Sequence, residues 1–240
     1  MQLLFVSFLL AVLAGPIWAV SISVSASCNA NPPTGSSTIT QSGPNSVECE
    51  SPAGLMPPMA SSQASASFSL LANGFTVSIQ TSAFGQQPAM APNPIADANA
   101  SITASLEALG PLRPGIVEIS SPIHFPFSDD LGLSQSQSTF SFGTIDGTCI
   151  APTCIEPATV QTIELGEPIE LQASASVTAT STIFDGEGDA GNSMIYTLRF
   201  FETDGVTPVA VTEAPESCTF LPIGLGLLLL GALRRLHVTV

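Results

Sequence analysis

Ala64-Ser65-Ala66-Ser67-Phe68-Ser69-Leu70, followed by Leu71-Ala72-Asn73-Gly74 and then Phe75-Thr76-Val77-Ser78-Ile79-Gln80, is the stretch that decides the fold. Its apolar members recur at every second position on either side of an Asn-Gly turn signal. A period of two sends successive side chains to opposite faces of a strand, and two such runs about a short turn read as a β-hairpin with one dry and one wet face. Working outward, Ile22, Val24 and Ala26 alternate with Ser21, Ser23, Ser25 and Ser27. Ala100, Ile102, Ala104 and Leu106 alternate with Ser101, Thr103 and Ser105, and Leu171 to Thr180 and Met194 to Phe200 follow the same rule. Ile116 to Ile119, Thr139 to Phe142 and Thr159 to Glu164 are shorter candidates. This grammar predicts an all-β fold, an antiparallel β-sandwich of jelly-roll or Ig-like type. Alanine and serine are mediocre strand formers, so placement carries the pattern more than propensity does, and a thin core is expected.

Three stretches break the alternation with prolines: Asn29 to Met59, where pairing is expected only at Ser36 to Thr40, Gln86 to Pro94, and Gly110 to Pro126. They read as surface loops.

Charge narrows the function classes. The chain of 240 residues holds 19 acidic and 4 basic side chains, none of them lysine, for a formal charge of -15. Cationic side chains supply most of the affinity for a phosphate backbone, so nucleic acid is excluded as a partner. All the acids fall between Val20 and Glu216, with only Arg113 and Arg199 among them.

The two ends are apolar instead. Met1 to Ala19, MQLLFVSFLLAVLAGPIWA, has the length and the small closing residue of a secretory signal peptide. Its removal after Ala19 takes the only tryptophan, Trp18, out of the mature chain. At the other end Ala214-Pro215-Glu216-Ser217-Cys218-Thr219 leads into an uncharged run from Phe220 to Leu233, closed by Arg234-Arg235. With its flanks this run approaches the ~20 residues of a transmembrane helix, and paired arginines favour retention on the cytoplasmic side, leaving the acidic domain outside.

This tail resembles the PEP-CTERM sorting signal of Gram-negative bacteria, in which a Pro-Glu-Pro-like motif, a Gly-rich hydrophobic helix and a basic cluster follow one another. Here Pro215, Glu216 and Ser217 stand at the motif, with Arg234 and Arg235 at the cluster. The resemblance implies an exosortase, a membrane-embedded cysteine protease-transpeptidase, as partner. It also implies export, with a membrane-tethered precursor delivered to the envelope or to an exopolysaccharide matrix. The chain then divides into a signal peptide (1–19), an ectodomain (20–213) and a sorting segment (214–240).

Few residues between the ends suggest chemistry. Among the four cysteines of the ectodomain, the local pairings Cys28 with Cys49 and Cys149 with Cys154 are the simplest of three connectivities in an oxidising compartment, with zinc as the competing use of closely spaced cysteines. His124, flanked by Pro122 and Pro126, has no nucleophile motif near it, and no enzymatic activity is expected. Asp185-Gly186-Glu187-Gly188-Asp189-Ala190-Gly191-Asn192 is the candidate ion site, since Asp185, Glu187, Asp189 and Asn192 offer hard oxygen ligands for Ca²⁺ in what reads as a hairpin loop. No other cofactor is implied. Sugar platforms present aromatic rings, and the mature chain has Tyr196 and phenylalanines only, so saccharide contacts are expected from Asn, Gln, Ser and acidic groups. The reading that results is an exported surface or matrix protein with a structural, adhesive role. The alternative is a calcium-dependent carbohydrate-binding module of the exopolysaccharide matrix.

Overall fold

Alternation becomes architecture in the computed structural model, which describes residues 22–31, 37–43, 46–51, 59–86, 94–124, 126–128, 134–180 and 187–214. Every described element is a strand, and every pairing is antiparallel. Ile22–Ala214 forms one compact unit.

The first sheet is built from β1 (Ile22–Asn31), β2 (Ser37–Gly43), β6 (Ile95–Ala108), β9 (Gln135–Phe142), β10 (Ile145–Ile150), β11 (Thr153–Ile155) and β13 (Pro168–Thr180). Its order is β11-β10-β9-β13-β6-β1-β2, with β15 (Val211–Glu213) also on β6. The second sheet runs β12-β7-β14-β5-β4-β3, where β3 is Ser46–Ser51, β4 Met59–Leu71, β5 Gly74–Gln86, β7 Arg113–His124, β12 Val160–Leu165 and β14 Glu187–Phe201. β8 (Phe127–Ser128) pairs with β14 alongside. Hairpin connections stay within a sheet in β1-β2, β3-β4-β5 and β9-β10-β11, and most other connections cross from one sheet to the other. The expected all-β sandwich of antiparallel sheets is therefore present.

The deciding hairpin is β4-β5, with Leu71 opposite Gly74 and a two-residue loop at Ala72-Asn73. Gly74 already lies in the strand, where a Cβ would collide with the Leu198 carbonyl of β14. Of the alternating apolar residues Ala64, Ala66, Phe68, Phe75, Val77 and Ile79 are buried, while Leu70, next to the turn, is exposed.

The core tapers. Near the β4-β5 turn it holds Phe75 packed against Phe142 with ring centroids 5.1 Å apart, and Phe200 at 5.7 Å from Phe142. Farther along the strands it narrows to Ala83, Ala96, Ala179 and Ala190, with Ser51, Ser62, Ser136 and Asn192 buried among them. At this thin end side chains of one sheet reach the backbone of the other. The Ser136 hydroxyl of β9 donates to the Gly191 carbonyl of β14 at 2.8 Å, and Ser62 of β4 donates to the Asn29 carbonyl of β1 at 3.0 Å. The Cys28–Cys49 disulfide joins β1 to β3 across the sheets with Cα atoms 5.9 Å apart, well inside the ~10 Å usual for sheets stacked on large side chains. Small residues permit the approach, and hydrogen bonds and a covalent bond hold it.

Two of the three proline-rich stretches are more ordered than the sequence reading allows. Within Asn29 to Met59 lies β3, whose Val47 and Cys49 point inward while Glu48 and Glu50 point out. Within Gly110 to Pro126 lies β7. Its prolines occupy positions that need no N–H: Ile119 donates toward β12, so alternation turns Pro114 toward β14, whose pairing stops at Ile116, and Pro122 falls in the register shift opposite Tyr196. The third stretch falls mostly outside the described residues.

β15 and β1 lie end to end along β6. Glu213 faces Leu106, Ala214 donates to the Ser105 carbonyl at 2.9 Å, and Ile22 faces Ala104. The first and last described residues of the domain are thus neighbours.

Candidate functional site

The alternation that buries one face of the second sheet leaves the other lined with polar side chains. Adjacent strands carry Glu48 on β3, Gln63 and Ser65 on β4, Gln80 and Ser82 on β5, and Ser193 on β14. Register sets them in rows, Glu48 beside Ser65, Ser65 beside Gln80 and Gln80 beside Ser193. They border a shallow, open trough of about 380 Å³. The polar ends of Gln63, Gln80, Ser82 and Ser193 are held by no hydrogen bond among the described residues.

One wall of the trough is aromatic. Phe127 of β8 pairs with Gly191 of β14, and its ring lies directly over that glycine, where any Cβ would overlap it. The ring stays 51% exposed. A large apolar ring seated on a glycine and half open to solvent, beside amide and hydroxyl groups, is a surface that can stack on an apolar face and hydrogen-bond around it. Glu48 is the only ionisable group among the described residues that line the trough, and it gives their set a negative charge.

The residues singled out in the sequence fall as follows. Cys28–Cys49 and Cys149–Cys154 are disulfides, the second directly cross-strand between β10 and β11. Glu156 lies close to the second disulfide, but sulfurs bonded to each other are not thiolate ligands, so the zinc alternative drops out there. Disulfides of this kind belong to an oxidising compartment, extracellular or periplasmic.

Of the four proposed calcium ligands, the two whose side chains are described, Asp189 and Asn192, do not converge. Asp185 and the side chain of Glu187 lie outside the described residues. What reads as a loop from Glu187 onward is the start of β14, and on a strand Asp189 and Asn192, three positions apart, point to opposite faces. Asp189 is exposed. Asn192 is 3% exposed, its amide nitrogen donating to the hydroxyls of Ser136 and Ser138 at 3.1 Å each, while its buried Oδ1 has no hydrogen-bond partner among the described residues. His124 ends β7, its side chain outside the described set. Pro215, Glu216, Ser217, Arg234 and Arg235 also lie outside it. Among the described residues no helix is long and apolar enough to cross a membrane.

Three further groups are electrostatically set. Tyr196, buried in the core against Phe140 with ring centroids 4.5 Å apart, donates its hydroxyl to Glu156 at 2.6 Å, and burial first and this bond second push its phenol well above the ordinary range. At the β4-β5 turn end Arg113 and Glu202 form a forked ion pair at 2.7 and 2.9 Å, which holds the Glu202 carboxyl below its usual value. Asp204 is lowered by hydrogen bonds from the Thr207 hydroxyl and from the Thr207 and Val206 amides.

Sequence reasoning missed Phe127, because its segment reads as a proline-punctuated loop and its contact with Gly191 spans the chain. The other lining residues were within reach. A two-residue β4-β5 turn by itself pairs Gln63 with Ser82 and Ser65 with Gln80. Comparison with protein-family models, with curated proteins and with solved structures finds no match to this chain.

Proposed function

We infer that the protein is an exported component of the cell surface or extracellular matrix, with a structural, adhesive role and no catalytic one. The observation that carries this reading is the Cys28–Cys49 bridge between the two sheets, a bond that persists only where thiols are oxidised. It is supported by the apolar segments at both ends of the sequence. On this reading Met1 to Ala19 is a signal peptide, and Phe220 to Leu233 tethers the precursor in the inner membrane until an exosortase-type protease acts at Pro215, Glu216 and Ser217, with Arg234 and Arg235 on the cytoplasmic side. The same reading takes the domain as a jelly-roll or Ig-like variant, on the support of its sheet-crossing connections.

Fractionation followed by mass spectrometry of the termini tests it. The expected result is protein in the envelope or medium beginning near Val20, and a reduced, intact chain starting at Met1 in the cytoplasm overturns it. The trough on the second sheet favours a saccharide-binding version of the adhesive role, which keeps the carbohydrate-binding module as second reading. Its calcium dependence has no such support, because Asp189 and Asn192 lie on opposite faces of β14. A melting temperature that rises on adding millimolar Ca²⁺ would restore it.

A further inference from the structure

The geometry points to the Phe127 trough as a binding site for the pyranose rings of an uncharged polysaccharide. This names a ligand for the adhesive surface and rests on the matrix reading for its biological setting.

Three features carry the assignment. Burying a phenylalanine side chain is worth ~1.5 to 3 kcal/mol, so a ring left half exposed on an ordered strand forgoes stability that the core offers elsewhere. The ring is seated on a glycine: Gly191 sits inside β14, where glycine weakens a strand, and it is the one residue type that lets the ring lie flat against the sheet. A flat apolar ring is the complement of the C–H face of a pyranose.

Around the ring the groups are those that match sugar hydroxyls. Gln63 and Gln80 each present a carbonyl acceptor and an amide donor, and Ser82 and Ser193 present hydroxyls that do both. Among the described residues no lining group is cationic, so none of them would pair with a uronate, a sulfate or a phosphate. Glu48 repels such groups and accepts hydrogen bonds from neutral hydroxyls. The trough crosses β8, β14, β5, β4 and β3, a width on the order of 20 Å at ~4.8 Å per strand, which fits several linked rings better than a single one. An open groove of that kind receives the middle of a chain as readily as its end, as attachment to a polymer requires.

Calorimetry on the full-length chain, kept in a detergent without a sugar headgroup, tests the proposal against a panel of hexasaccharides from neutral glucans and a length-matched alginate. Binding to at least one neutral hexasaccharide and none to alginate is expected. Phe127→Ala should weaken binding at least about tenfold, or 1.4 kcal/mol, while Phe127→Trp should keep or strengthen it. Gln63→Ala with Gln80→Ala should also weaken it, which provides a second reading should Phe127→Ala fail to fold. Absence of binding to every neutral oligosaccharide overturns the site, as does equal binding to alginate or an affinity indifferent to both sets of substitutions. The assay reads purified protein and the fractionation reads location, so either proposal can fail without the other.

Discussion

Tyr196 shows how one side chain can tie a β-sandwich together and report on it. It stands on β14 of the second sheet, fills the core beside Phe140 of the first, and ends at Glu156 beyond β11. Burial and the bond to Glu156 both favour the neutral phenol, so its folded pKa lies above the ordinary 10.0. The contribution to stability is therefore complete below pH 10.0 and is lost as pH rises toward the folded value. Because the chain contains a single tyrosine, the phenolate absorbance reads this residue alone. The expected outcome is that phenolate appears only together with loss of the sheet signal in circular dichroism. Phenolate forming near pH 10 in an intact fold would contradict the assignment. Tyr196→Phe should cost about 1 kcal/mol in denaturant unfolding, since Glu156 is exposed and regains water when its donor is removed.

Among the elements, the segment between β14 and β15 combines backbone bonds and a buried valine, Val209, with charged contacts at its surface. Arg113 at the start of β7 grips Glu202, and Asp204 accepts from Val206 and Thr207 to close the turn that follows. Both carboxyls sit below their ordinary 4.5 and 3.8, so the turn's support is complete above pH 4.5 and fades as pH falls through the lowered folded values. Nuclear magnetic resonance of the Val206 and Thr207 amides should show the Asp204 bonds breaking with a midpoint below pH 3.8; a midpoint at or above it removes the claim. How legible such elements are depends on which part of the signal is local. β4, β5, β6 and β13 were readable because their alternation runs long and their larger apolar members fall on one face. β3 carries the same alternation in Val47 and Cys49, but its six residues, closed in by Pro44 and Pro52, are too few to outweigh the breakers. β7 defeats sequence reasoning for a different reason: Pro114 and Pro122 are tolerated because of where β14 stops pairing and where it bulges, facts set by a strand some seventy residues later. Phe127 belongs with β7, since a ring is recognisable as a platform only once Gly191 lies beneath it. Within the candidate ion loop, the turn of the Asn192 amide nitrogen toward Ser136 and Ser138 is something that the local spacing of acids does not reveal.

For the molecule as a whole, the taper of the core divides the work of holding the sheets together. The wide end has the phenylalanine cluster and Leu106, Leu171 and Leu198, enough apolar surface to stack the sheets without further help. The thin end has alanines, buried serines and the Cys28–Cys49 bridge, so much of its cohesion comes from a bond that depends on the compartment. The two disulfides should then differ in weight. Cys28–Cys49 closes a separation of 21 residues and links sheets, whereas Cys149–Cys154 closes 5 within a hairpin that β9 already pairs. From loop-closure entropy, Cys28→Ser with Cys49→Ser should cost about 3 kcal/mol and Cys149→Ser with Cys154→Ser about 2, with the first cost raised further because little apolar packing replaces the bridge. Hydrogen exchange should localise the difference. Without the first bridge, amides of β1 and β3 near residues 28 and 49 should lose protection while those around Phe75 and Phe142 keep it. Without the second, the loss should stay within β10 and β11. If the two double variants melt alike, or if the phenylalanine end opens first, the taper does not govern stability and the link between this fold and an oxidising compartment loses its energetic basis.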